Sequence, residues 1–349
     1  MSDPQKQKNE YLRVGGQAII EGVMMRTPDA FSVAVRAPNG ELIVQTEPMQ
    51  KTWIGKQTWL MKPFLRGTFM LLDALTLGSK ALKFSSHVQL DEKYLPDEEK
   101  EQEANKTDKK KESEKTIRNI AIGATVVISL AFGFFVFSFV PNLVAEQARL
   151  LGITNGTAIN YITETIKVIF VIGYLWGISY LPDIQRVFQY HGAEHKAINT
   201  YEAGEELTID NCRAQTRLHM RCGTSFAIIV LIVSFLFFPL VPRYPIPDLP
   251  MIGNVVVRVL VELMILPIVA GVAFEILRFA GMHGDKKWAR NLFAPGLWTQ
   301  KITTKEPDDS QIEVALESLK SCLAYQGETA ERSEPEEPKE LEETATVLS

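Results

Sequence analysis

Four long apolar stretches constrain this chain more than any other feature of its sequence. Residues 119–145 contain no Asp, Glu, Lys or Arg, and about 20 apolar residues are enough for a helix to cross a bilayer. Residues 222–242 form a second charge-free stretch, and residues 162–182 and 251–277 are apolar with a few charges. Four such stretches exceed what buried helices of a soluble protein show. The sequence therefore predicts an α-helical integral membrane protein with four transmembrane helices.

The distribution of basic residues predicts the orientation of these helices. Lys and Arg cluster before the first stretch, in the loop 183–221 and after the fourth stretch, whereas the loops 141–161 and 243–250 carry one Arg each. Loops rich in Lys and Arg stay in the cytoplasm, so we expect both termini and the loop 183–221 there. The polar start of the chain predicts that no signal peptide is cleaved, and three Cys are too few for a disulfide framework.

The formal net charge of −5 is local, because it lies in the Glu-rich tail 329–349. The rest of the chain is neutral overall, which argues against nucleic acid as a partner. The expected partners are the lipid bilayer and a membrane-associated substrate or protein.

The segments outside the apolar stretches predict a cytoplasmic part with its own structure. Asn39-Gly40 lies between the β-rich runs Phe31–Arg36 and Leu42–Gln45, a pattern typical of a hairpin. Residues 62–86 predict an amphipathic helix with charges every seventh residue, at the membrane interface or packed on the β-rich domain. A later helix is predicted to begin at Ser310, with Glu313 completing a capping box, and to end at Gly327. In chain order the predicted segments are an N-terminal β-rich cytoplasmic domain (1–50), an amphipathic helix (51–90), a charged linker (91–118), transmembrane helices one and two (119–182), a cytoplasmic loop (183–221), transmembrane helices three and four (222–277), a C-terminal cytoplasmic segment with a helix (278–328) and a disordered acidic tail (329–349).

The cytoplasmic loop contains the pattern His-x-x-Glu-His at residues 191–195. His191 and His195 are four residues apart, so they lie on adjacent turns of one helical stripe and can bind the same metal ion. This spacing is that of the inverted zinc-peptidase signature, in which Glu194 would act as general base. The alternative interpretation is a pair of helix histidines that pack against a neighbouring helix or lipid headgroups.

A catalytic metal site needs a third protein ligand and an open position. We expect His219 to be the third ligand, with Glu275 as the second choice, since both residues lie at the cytoplasmic membrane boundary. The alternative for Glu275 is an interfacial carboxylate that pairs with Arg278. Cys222 lies at the same boundary, and the alternative for it is a small buried residue at the start of a helix. Three other features are candidates for function. Arg213, Arg217 and Arg221 are predicted to form a cationic stripe that either binds phosphate or only anchors the loop. Arg258 and Glu262 are predicted to pair within the membrane, and Glu21 to belong to a small β-lid.

Five strings resemble those of the bacterial YqhQ-type family. They are GGQAIIEGVMMR (15–26), PFLRGTFMLLDALTLGSKAL (63–82), YHGAEHKAINTYEAGEELT (190–208), RLHMRCGTSF (217–226) and PGLWTQKITTKEPDDSQIEVAL (295–316). The resemblance implies an integral protein of the bacterial cell membrane, of unknown function, described as a predicted metal-dependent enzyme. It supplies no substrate.

Two functions therefore remain open from the sequence. One is a metal-dependent hydrolase, with zinc as its cofactor and its site at the cytoplasmic membrane face. The other is a non-enzymatic membrane scaffold or assembly factor. A small transporter ranks third, because such proteins are built from internal repeats or broken helices and the sequence shows neither clearly.

Overall fold

The computed structural model describes residues 14–49, 62–64, 66–96, 124, 128–129, 131–281 and 286–333. Most of the predicted linker 91–118 and the predicted tail beyond residue 333 lie outside these residues, as does most of 119–130. The described chain is mostly helical, with a small antiparallel sheet near its N-terminus.

Four strands form the sheet in the order β1-β2-β3-β4. They are β1 (Gly15–Ile19), β2 (Gly22–Arg26), β3 (Ala30–Arg36) and β4 (Leu42–Pro48). The predicted Asn39-Gly40 hairpin is confirmed, because β3 and β4 pair antiparallel across it. Gly40 adopts a φ of 88°, a conformation that glycine enters without a steric penalty.

Helices cover both faces of this sheet. On one face Phe31, Val33 and Val35 pack against helix α1 (Arg66–Leu90). On the other face Ala30 and Ala34 pack against α4 (Pro182–Glu202) and the last helix, α9 (Asp309–Ser333). Successive side chains of β3 point to opposite faces of the sheet, because a strand has a period of two residues.

The start and the end of α9 differ from the prediction. Asp308 caps the helix, because its carboxylate accepts from the Gln311 backbone N–H at 2.9 Å while the Gln311 side chain accepts from the Asp308 N–H at 3.0 Å. The capping pair is thus Asp308 and Gln311, two residues earlier than the predicted Ser310 and Glu313. The helix also continues past Gly327 to Ser333.

Within the described residues, four helices are long and apolar enough to cross a membrane. They are α2 (Ala131–Leu151), α3 (Gly156–Ile178), α6 (Gly223–Leu240) and α7 (Met251–Gly281), of which Met251–Phe279 qualifies. Many of their large apolar side chains are exposed, Met264 by 78% for example, as helices that face lipid require. These features suggest that the protein associates with a membrane.

The first two of these helices extend beyond their predicted limits. α2 passes the predicted end at residue 145, because the buried carboxylate of Glu146 is neutralised by Arg243 at 2.9 Å. α3 begins at Gly156, before the predicted residue 162. Asn155 caps it, because the Asn155 side chain accepts from the Ala158 N–H at 3.0 Å. Such a cap satisfies a backbone donor that the helix itself leaves free.

The remaining helices connect the bundle to the sheet. α5 (Ile209–Ala214) follows α4, and α8 (Lys287–Thr303) packs on α6 through Phe293. α1 lies against both parts of the protein. Its second half packs on the sheet, and at its start a Cβ on Gly67 would lie 2.5 Å from Phe274 on α7.

Candidate metal centre

Helix α4 carries the His-x-x-Glu-His pattern near its middle, and its second half is largely buried. Pro182 occupies its first turn, where a missing N–H costs nothing. One side of the helix packs on the sheet and α9 through Tyr190, Ala193 and Ala197. The buried His195 and the half-buried His191 lie on adjacent turns with ring centroids 4.4 Å apart.

Three side chains converge beside α4. The ligating atoms of His191, His195 and Cys222 all lie within 4.8 Å of one another, and His191 Nε2 is 3.1 Å from Cys222 Sγ. Two imidazoles and a thiol are a donor set suited to zinc. Cys222 is the N-cap of α6 and accepts from the Thr224 N–H at 3.4 Å, so the first turn of this helix fixes its position.

Backbone carbonyls orient both imidazoles. His191 Nδ1 lies 2.8 Å from the Thr303 carbonyl oxygen, and His195 Nδ1 lies 2.7 Å from that of Arg217. A carbonyl accepts only from a protonated nitrogen, so both Nδ1 atoms carry the hydrogen and both Nε2 atoms offer a lone pair. Metal-ligating histidines are held in the same manner.

His195 Nε2 is buried and, among the described residues, has no hydrogen-bond partner. An unpaired buried polar atom costs about 1–3 kcal/mol. Burial also lowers the pKa of His195, which keeps its imidazole neutral, the form that binds a metal. The orphaned nitrogen faces a group of donors and therefore fits a metal ion.

Glu194 is buried next to this group and lies against β1. A Cβ on Gly16 would be 2.7 Å from Glu194 Cγ, so only glycine leaves room for the carboxyl group there. Burial raises the pKa of Glu194 to about 8, and the nearby His191 opposes that shift.

A cavity of about 450 Å³ opens beside these residues. Its walls come from residues 14–18, most of which belong to β1, from Met24 and Arg26 of β2, from Ala74 of α1, from α4 and from the segment that leads into α6. His191, Glu194 and Cys222 all line it. The volume lies within the range of roughly 300–1,000 Å³ typical of ligand sites.

Neither residue expected as third ligand belongs to this group of three. His219 lines the same cavity, but its Nε2 is 3.4 Å from a Glu202 carboxylate oxygen. Glu275 binds Arg66 through two hydrogen bonds of 2.7 and 2.5 Å, and its partner is thus on α1 instead of the neighbouring Arg278. The third donor atom of the group belongs to Cys222, and His219 as a metal ligand stays a prediction.

Arg213, Arg217 and Arg221 do not form the predicted cationic stripe. α5 ends at Ala214, so only Arg213 is on a helix. Arg213 pairs with Asp309 at 2.7 Å, and Arg217 donates to Thr304 Oγ1 at 2.8 Å. Arg221 pairs with Glu202.

The other two predicted features also lie outside the group of three. Glu21 is in the β1–β2 turn with a φ of 51° and pairs with Arg186 on α4. Arg258 and Glu262 form the expected pair on α7, 2.9 Å apart. Lys167 of α3 joins them, 2.7 Å from Glu262. This pair is near the start of α7, at the end of the bundle away from the histidines.

Sequence reasoning missed the residues that hold the centre in place. Gln300 of α8 accepts from the His219 N–H at 2.9 Å and donates to the His219 carbonyl at 2.7 Å. Thr303 supplies a carbonyl oxygen, a group that every residue type carries, so no sequence signal marks it. Thr299 and Gln300 are both buried, but α8 carries other polar and charged residues, so their types do not mark them in the sequence.

A family model described as "Protein of unknown function (DUF1385)" matches residues 62–325. The chain belongs to the DUF1385 family. The matched DUF1385 region contains every member of the group of three. A relative named "Uncharacterized protein YqhQ", from Bacillus subtilis (strain 168), is 36% identical over 324 residues, which is 92% of this chain and 95% of that protein. No solved structure matches the chain.

Proposed function

We propose that this protein is a zinc-dependent hydrolase of the bacterial cell membrane, with His191, His195 and Cys222 as its metal ligands. The observation that carries the proposal is the buried, unpartnered His195 Nε2 within a group of three donors that span no more than 4.8 Å. Three protein ligands beside an open cavity are the arrangement of catalytic zinc sites, whereas structural sites are closed by four.

The residues around the cavity would divide the chemistry between them. Zinc supplies Lewis-acid activation of water and of the substrate's carbonyl group. Glu194, which lines the cavity between the two histidines in sequence, accepts a proton from that water and passes it to the leaving group. A divalent cation nearby favours the ionised carboxylate and so opposes the effect of burial.

We further propose that the centre faces the cytoplasm. α3 ends and α6 begins close to it, and the Lys and Arg of residues 183–221 predict that side as cytoplasmic. The native cysteines are all buried, so introduced thiols report topology. Leu151→Cys should react with an impermeant maleimide in intact cells, whereas Glu206→Cys should react only after lysis. The reverse pattern would overturn this orientation.

Metal analysis of detergent-purified protein tests the zinc site. We expect about one zinc per chain in the wild type, and a loss of zinc in His191→Ala, His195→Ala and Cys222→Ser. His219→Ala is the matched control, since His219 lines the same cavity outside the group of three. Its zinc content should stay at the wild-type level.

Glu194→Gln separates catalysis from binding. The variant should keep its zinc and lose hydrolytic activity, because the amide cannot accept the proton. Wild-type protein with little zinc after gentle purification, and His195→Ala equal to it, would contradict the proposal and favour the non-enzymatic scaffold.

A further inference from the structure

β1 is an edge strand of the sheet and forms one wall of the cavity. The register pairs Ile19 with Gly22 across a two-residue turn, so the backbone of Ile19, Gln17 and Gly15 bonds to β2. The Arg36 N–H on β3 donates to the Glu21 carbonyl. Glu21 therefore bonds toward β3, and Gly22, the next residue, bonds toward β1, as the register requires.

The remaining residues of β1, Gly16 and Ala18, turn their backbone N–H and C=O groups away from β2. Among the described residues none of these groups has a hydrogen-bond partner. They recur at every second residue, roughly 7 Å apart. An extended peptide presents donors and acceptors at this same spacing.

Gly16 of β1 lets Glu194 of α4 come close to the strand. Gly15 and Gly16 carry no side chain, and Gly16 is in contact with Glu194. The edge and two of the three proposed ligands, His191 and Cys222, thus border one cavity, with the proposed base Glu194 next to the strand.

From this juxtaposition we propose that the substrate is an extended peptide segment that binds as an additional strand along β1. The inference rests on the proposed hydrolase function. In the reaction the oxygen of water bonds to the carbonyl carbon and the C–N bond breaks. Glu194 carries one water proton to the leaving nitrogen, which departs as an amine, and the other product is a carboxylic acid. Strand addition gives affinity through main-chain bonds, and pockets for alternate side chains give selectivity.

The test uses zinc-loaded, full-length protein in detergent and a proteome-derived peptide library. Mass spectrometry of new termini identifies the best-cleaved peptide, which is then resynthesised with one backbone N-methyl group at each position in turn. We expect the rate to fall about tenfold or more at every second position and little in between, because only alternate N–H groups face β1.

Two proline variants test the protein side. Ala18→Pro removes an N–H that points to the cavity edge and leaves the β1–β2 bonds intact, so cleavage should fall about tenfold at unchanged zinc content. Val44→Pro is the matched control, since it removes an outward N–H from β4, at the opposite edge of the sheet. If Ala18→Pro does not fold, the N-methyl scan decides alone.

The outcomes separate this inference from the proposed function. Protein with a full zinc content that cleaves no library peptide, or that shows no alternation in the N-methyl scan, overturns the peptide inference and leaves the metal centre intact. Protein without zinc overturns both.

Discussion

Gly192 lies between the two proposed histidine ligands and against the segment that follows α8. A Cβ on Gly192 would lie 2.1 Å from the Lys305 carbonyl oxygen, whereas real Cβ contacts stay above 3.0 Å. In Gly192→Ala this segment must therefore move away from α4 by about 1 Å, since packed backbone cannot absorb the overlap.

That movement would affect two hydrogen bonds to α4, one from the segment and one from Thr303, the last residue of α8. The Lys305 N–H donates to the Phe188 carbonyl at 2.8 Å, and His191 Nδ1 donates to the Thr303 carbonyl at 2.8 Å. About 1 Å more takes either bond beyond its effective range. Each contributes about 0.5–1.5 kcal/mol, so we expect the free energy of unfolding to fall by about 1–3 kcal/mol.

The same change should weaken zinc binding, because His191 loses the carbonyl that fixes its ring. Removal of such a partner lowers metal affinity by about 10–100-fold. Competition with a chromophoric chelator measures the affinity, and thermal unfolding in detergent measures the stability.

Gly223→Ala provides the control for this substitution. Gly223 follows Cys222 and lines the same cavity, but among the described residues nothing lies within 4 Å of a Cβ at this position. This variant should bind zinc as the wild type does. Equal zinc affinity of Gly192→Ala and Gly223→Ala would refute the argument that backbone carbonyls position the ligands.

Three further predictions concern the fold. Arg243→Leu should lower the stability in detergent by about 3 kcal/mol, because it removes a cation from the buried Glu146 carboxylate; the exposed control Arg278→Leu should change it little. Leu319→Ala should cost about 2–5 kcal/mol in the same assay through a cavity between α9 and the sheet, and an unchanged melting temperature would contradict that packing. Deletion of residues 334–349 should leave the melting temperature unchanged, because a Glu- and Pro-rich stretch cannot bury a core; a drop of many degrees would show that it docks.

Features encoded within a few neighbouring residues could be predicted from the sequence. Asn39-Gly40 dictates its turn locally, and apolar stretches of about 20 residues define the four long helices by length alone. The adjacency of His191 and His195 follows from the period of the helix. Each of these predictions depends on distances that secondary structure itself sets.

Contacts that depend on the tertiary path could not be predicted in this way. Cys222 reaches His191 because the chain returns from α5 to the start of α6, a path that residue spacing does not encode. The partner of Glu275 lies on α1, far earlier in the chain. The predicted end of α2 at residue 145 is also wrong. A charged residue such as Glu146 indicates a loop from sequence alone, and only the structure shows that its charge is paired with the buried Arg243.

The position of α9 on the sheet has a consequence for biogenesis. Ser318 Oγ donates to the Ser32 carbonyl at 2.9 Å, so strands made early in synthesis are covered by a helix that is made late. At about 5–20 residues per second, translation separates the two by roughly 15–60 s. In this interval the sheet has one open face while the four apolar helices emerge. Thr303, which orients His191, is also made late. A chain that stops before α9 therefore leaves that face of the sheet without its α9 partner, and a chain that stops before residue 303 also lacks the carbonyl group that orients His191.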